Sequence, residues 1–129
     1  MNLLITGSRN WERPDIIKAL LLAHKDEIEC VIHGCAKGAD TIAGDAAQAL
    51  NLIVEEYPAQ WHIHGRRAGM IRNQQMLDEA CPSHVWAFPT KSSIGTWDMV
   101  RRAQKEDIPV FLFEFHQGQL VPRLLVNDT

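Results

Sequence analysis

The sequence predicts one α/β domain, a five-stranded, mainly parallel sheet with helices on both faces. Three observations predict it. Short apolar runs at residues 3–6, 30–33, 52–57, 84–88 and 110–113 alternate with helical patterns about 11–15 residues long, and regular β-α alternation implies right-handed crossovers. Leu3-Leu4-Ile5 and Val110-Phe111-Leu112-Phe113 are continuously apolar, as strands covered on both faces must be. Three glycine-bearing stretches each follow a strand and open a helix: Gly7-Ser8-Arg9-Asn10-Trp11, Gly34-Cys35-Ala36-Lys37-Gly38-Ala39-Asp40 and Thr90-Lys91-Ser92-Ser93-Ile94-Gly95-Thr96. In a parallel sheet these loops share one edge, where backbone N–H groups and helix N-termini can surround an anion.

The elements follow in chain order. After the first strand, Pro14-Asp15 in a first turn starts a helix that runs to Lys25, with Ile16, Leu20 and Ala23 on one face. The second helix takes Asp40 or Thr41 as N-cap and ends near Leu50. Its small inner residues Ala43, Ala46 and Ala47 allow close approach to the sheet. A long loop over residues 57–69 leads into a third helix spanning residues 66–80, with Gly69, Asn73, Met76, Leu77 and Ala80 on the sheet-facing side. The fourth helix covers residues 96–106, with Met99, Val100 and Ala103 inward. Residues 1–115 are read as the domain. The tail, residues 116–129, carries an apolar stretch interrupted by Pro122, which suits either an edge strand or an oligomer contact.

Composition narrows the function. The 129 residues carry 46% hydrophobic and 22% charged residues and a formal net charge of −3, so no global basic field points to nucleic acid. Three cysteines (Cys30, Cys35, Cys81) without a Cys-x-x-Cys pair suit reduced thiols in the cytoplasm. The first strand starts too early for a signal peptide, and no apolar run approaches a bilayer span.

Each candidate site residue has a chemical reason and a plainer alternative. Gly7 permits close backbone approach, Ser8 can bond a phosphate oxygen, and Arg9 offers a bidentate fork. Gly34, Gly38 and Ala39 can form an anion nest, although the spacing is neither a Walker A motif nor G-x-G-x-x-G. Asp40 would repel phosphate, so helix capping or a ribose hydroxyl suits it better. Asn73 is a polar residue at an inward position and needs partners, either a ligand or loop backbone. Arg66 and Arg72 near a helix N-terminus oppose its dipole unless an anion sits there. Trp11 and Trp61 can stack a nucleobase or pin their loops to the core. His62-x-His64 lacks a third metal ligand, and a His33–Cys35 nucleophilic pair is disfavoured because alternate residues of an extended segment point apart.

These motifs resemble the YspA/YpsA-related branch of the SLOG superfamily. The resemblance is carried by Thr-Gly-Ser-Arg-x-Trp at 6–11, His-Gly-x-Ala-x-Gly-Ala-Asp at 33–40, Tyr-Pro-Ala-x-Trp at 57–61, Gly-Arg-x-Ala-Gly-x-x-Arg-Asn-x-x-Met at 65–76 and Gly-Thr-x-Asp-Met at 95–99. It covers residues 2–113. It implies a Rossmann-like fold, a homo-oligomer, and a pocket for a nucleotide or an NAD- or ADP-ribose-like ligand, acting as a sensor or sequestering protein. The superfamily includes the Lonely Guy phosphoribohydrolases, DprA and sensor domains that bind NAD-derived signals. The implied pocket residues are Gly7, Ser8, Arg9, Gly34, Gly38, Asp40, Arg66, Arg72, Asn73, Gly95 and Thr96. No cofactor or metal is implied. The hydrolase branch carries Pro-Gly-Gly-x-Gly-Thr-x-x-Glu. Here its glycine pair is replaced, and its catalytic glutamate position is Met99, which cannot act as acid or base. A hydrolase using another carboxylate such as Asp40, and single-stranded nucleic-acid binding, are the alternatives to a binding function.

Overall fold

In the computed structural model, which describes residues 1–125, β1 (Asn2–Gly7) runs through the middle of a six-stranded sheet of order β3-β2-β1-β4-β5-β6. Its parallel neighbours are β2 (Cys30–His33) and β4 (His84–Phe88), with Leu4 opposite both Ile32 and Val85. Strands β3 (Ile53–Glu56) and β5 (Val110–His116) extend the parallel sheet on either side. The strand pleat separates the core into two layers. Leu3, Ile5, Trp86 and Phe88 pack with Ile17 and Leu21 of α1 (Pro14–Ala23) and Ala39, Ala43 and Ala47 of α2 (Ala39–Ala49). On the other face, Leu4, Ile32, Val85 and Ala87 meet Met76, Leu77, Met99, Val100 and Ala103.

Met76 and Leu77 belong to a wide-turn extension, Met76–Ala80, of α4 (Ala68–Gln75). The other three residues of that second group belong to α5 (Ile94–Lys105). A one-turn helix, α3 (Trp61–His64), and a tight turn (Gly65–Arg67) replace most of the expected loop before α4.

Three expectations need correction. The fully buried stripe of α1 is Ile17 and Leu21, with Ile16 and Leu20 of the expected face half-buried against the same core and Ala23 exposed: the helix starts at Pro14, but the centre of its buried face lies one residue from the expected one. The N-cap of α2 is Gly38, because Ala39 already has helical geometry; Asp40 is inside the helix and does not cap it.

The sheet also has six strands. Gln117 and Gly118, both at positive φ (53° and 78°), form a two-residue turn of the hairpin type, and β6 (Gln119–Leu125) returns antiparallel along β5. Counting from the closing pair His116–Gln119, Pro122 falls in a non-hydrogen-bonded pair with Phe113. Its nitrogen therefore faces outward, where a missing N–H discourages another strand from adding to the edge. Of the apolar tail stretch, Val126 lies outside the described residues.

Candidate functional site

After β1 the chain turns to α1 on one face, and after β4 it turns to α5 on the other. Adjacent strands whose connections leave in opposite directions open a crevice at their carboxyl ends. A cleft of about 380 Å³ lies there. Its walls are residues 6–10 at the end of β1 and in the loop that follows, Ala36 and Asp40 after β2, Trp61 and Arg66 with one side of α4, and residues 92–96 at the start of α5.

The start of α5 is open toward this cleft. Ser93 is the N-cap residue, yet its Oγ accepts the Thr90 N–H (2.8 Å) and caps nothing in the helix. The first-turn amides of Gly95 and Thr96 thus lie beside the cleft without a side-chain cap, at the positive end of a 12-residue helix dipole. A Cβ on Gly95 would meet nothing within 4 Å. Steric crowding by the fold therefore does not require glycine here.

Ser8 has a different place from the one expected. Its buried Oγ bonds Thr90 Oγ1 (2.8 Å) and accepts the Asn10 N–H (2.9 Å), tying the loops after β1 and β4 together. Its hydroxyl is used by protein, although Ser8 lines the cleft.

The second glycine loop is not an open anion nest. Asp40 Oδ2 accepts the N–H groups of Gly34 (3.1 Å) and Ala36 (3.3 Å), Cys35 N–H donates to His33 Nδ1 (3.0 Å), and Ala39 N–H donates to Ser8 O (3.1 Å). The loop's own carboxylate occupies the position expected for a ligand anion. Gly38 makes this possible at φ +91°, pressed against the carbonyls of Ser8 and Arg9, where a Cβ would collide. Gly7 likewise marks close packing of β1 on Ala39 and Phe88. Burial pushes Asp40 up to about 6, against the charge of Arg72 and the amides of Ala36, Gly34 and Gly7. Asp40 Oδ1 is buried and has no hydrogen-bond partner.

Arg72 spans the cleft floor. Its Nη1 donates to the carbonyls of Gly34 and Tyr57, and its Nε donates to Asn73 Oδ1 (3.0 Å). Asn73 Nδ2 donates to Gly95 O (3.1 Å) and Asp98 Oδ2 (3.0 Å), and Arg102 Nε donates to the same carboxylate (2.8 Å). Asn73 is therefore satisfied by loop backbone and by Asp98. The chain Arg72–Asn73–Asp98–Arg102 locks α4 to α5. Sequence reasoning missed Asp98, Ser93 and Thr90 as supports; the inward amide of Asn73 was the one signal that a partner on another helix was required. Desolvation lowers Arg72, with the Asp40 charge opposing it.

The remaining candidates separate cleanly. Arg9, Arg66 and Trp61 line the cleft and are exposed. Trp11 does not line it. Its ring packs edge-on against Phe88 (5.2 Å between centroids) and its N–H donates to Arg13 O (2.9 Å), so it anchors its loop in the core. Gly34, Gly38 and Ala39 stand behind the cleft wall, holding Arg72 and the β1 loop in place.

Met99 is fully buried among apolar side chains, leaving no carboxylate where the hydrolase branch has its glutamate. The Cys35 thiol donates to Glu56 Oε2 (3.4 Å) and is pushed up to about 11 by burial first, then by Glu56, which keeps it in the thiol form at neutral pH. Among the described residues no group of three His, Cys, Asp or Glu side chains could hold a metal, and no helix is long and apolar enough to cross a membrane.

The profile of the YAcAr family (YspA, cpYpsA-related SLOG family) matches residues 1–64. The Gene 61 protein of Mycobacterium phage D29 is 39% identical over 122 residues, an alignment covering 85% of this chain and 94% of that protein. Among solved structures, DNA processing protein A (DprA) from Streptococcus pneumoniae superposes on 90% of this chain with a TM-score of 0.74 and 16% identity. That likeness shows the fold alone, and this chain spans about half (51%) of the DprA chain. With the phage relative matched along most of its length and the family profile over the first two glycine loops, the chain belongs to the YspA, cpYpsA-related SLOG family.

Proposed function

We propose that the cleft binds a nucleotide or nucleotide-derived ligand of the NAD or ADP-ribose kind, and that the protein acts as a sensor or sequestering protein. The observation that carries this reading is the uncapped start of α5, opening on a cleft that also contains Arg9, Arg66 and Arg72. A phosphate there accepts from the amides of Gly95 and Thr96 and is neutralised by the arginines. The exposed face of Trp61 at the rim offers a stacking surface for a base. Binding is favoured over hydrolysis because Met99 has no acid–base chemistry and lies in the core.

The test is calorimetry with AMP, NAD, ADP-ribose and cyclic derivatives, supported by thermal shift. At least one should bind, and Arg9→Ala should weaken it about tenfold, as expected for loss of a charge-assisted hydrogen bond. Failure of every compound to bind the folded wild type would refute the reading. Chromatography after long incubation should recover the nucleotide intact; steady turnover would favour the hydrolase alternative.

A further inference from the structure

We propose that Asp40 is the ribose-hydroxyl acceptor of the cleft and makes it selective for ribosyl over deoxyribosyl phosphates. This rests on the nucleotide reading above.

Asp40 is only 5% exposed, yet it forms part of the cleft wall. Its Oδ2 is fully engaged by the Gly34 and Ala36 amides. Its Oδ1 is shielded from solvent and has no partner. Buried polar atoms almost always have partners, so an orphan beside an open cleft marks where a ligand donor belongs. Phosphate cannot supply that donor, and its charge would be repelled by the carboxylate. An ammonium group would meet the Arg72 guanidinium, which already faces Asp40. A neutral hydroxyl satisfies both constraints.

Asp40 and the open start of α5 line the same cleft, so a ribose 5-phosphate whose phosphate sits at Gly95–Thr96 has its sugar hydroxyls inside the cleft that Asp40 also lines.

The experiment compares AMP, 2′-deoxy-AMP and 3′-deoxy-AMP, and ADP-ribose as a second ribosyl probe, by calorimetry on wild type and Asp40→Asn. Asparagine keeps a carbonyl oxygen for the Gly34 and Ala36 amides, and circular dichroism checks that the variant is folded. Wild type should bind AMP about tenfold or more tighter than at least one deoxy analogue, the loss expected for a hydrogen bond to a charged acceptor. In Asp40→Asn that ratio should collapse to about threefold or less, since a charge-assisted bond is roughly twice as strong as a neutral one. Equal binding of AMP and both deoxy analogues by wild type would overturn the role of Asp40 while leaving nucleotide binding intact. Discrimination that survives in Asp40→Asn would overturn it as well. Failure of AMP and ADP-ribose alike to bind would overturn this proposal together with the nucleotide reading.

Discussion

Replacing Asp40 with asparagine should stabilise the free protein, and by an amount that depends on pH. Burial raises this carboxyl from 3.8 to about 6. About two pKa units at 1.36 kcal/mol each make the ionised form cost about 3 kcal/mol at pH 7.5. For an acid whose folded pKa is raised, that cost is fully present above the folded value. It is relieved as pH falls from about 6 toward 3.8, with about half relieved near pH 5.

Asp40→Asn removes the charge and retains an acceptor for the loop amides. It should therefore raise the melting temperature by roughly 10 °C at pH 7.5 and roughly 5 °C at pH 5, taking about 0.27 kcal/mol per degree for a domain of this size. His33 works in the opposite sense, since burial lowers it and protonation below its ordinary range costs stability. It is common to both proteins and cancels in the difference. Of the other groups near Asp40, Arg72 stays charged and Cys35, held near 11, stays a thiol through this range. Differential scanning calorimetry of both proteins between pH 5 and 8 measures the difference. A variant that is less stable than wild type by the same amount at every pH would refute the reasoning, because Asp40 would then be a loop brace under no electrostatic strain.

Three further outcomes are expected. Gly95→Leu should keep or raise the melting temperature, since its side chain enters open space and leucine favours helix by up to about 1 kcal/mol, yet it should abolish AMP binding in calorimetry. Gly34→Ala places a Cβ within 3 Å of the Arg72 guanidinium, so Arg72 should be displaced and AMP affinity should fall about tenfold in the same assay. Asn73→Ala removes the acceptor of Arg72 Nε and the donor to Gly95 O and Asp98, and should cost about 2 kcal/mol in urea denaturation; a neutral effect would mean that this chain does not hold the α4–α5 contact.

Strands β2 and β4 were legible in the sequence to the residue, because a strand covered on both faces must be apolar throughout and its ends are marked by polar residues and turns. Asn73 was legible as buried because its helical spacing put it on the sheet-facing stripe. The sixth strand was legible only as one of two readings of the tail, an edge strand or an oligomer contact. An edge strand is half exposed, so its pattern is weak, and Pro122 reads as a breaker until its outward-facing nitrogen is known.

The sequence by itself determined the α/β alternation, the loops that meet at one sheet edge and the family to which the chain belongs. Apolar runs, helical periodicity and glycine turns act over a few residues. Tertiary structure decided which groups of those loops are free. Asp40, not a ligand, fills the second loop's nest; Ser8 is spent on Thr90; Trp11 is in the core; and the amides at the start of α5 are left open. Whether a donor or acceptor is satisfied depends on neighbours such as Thr90 for Ser8, 82 positions away, which only the strand order brings together.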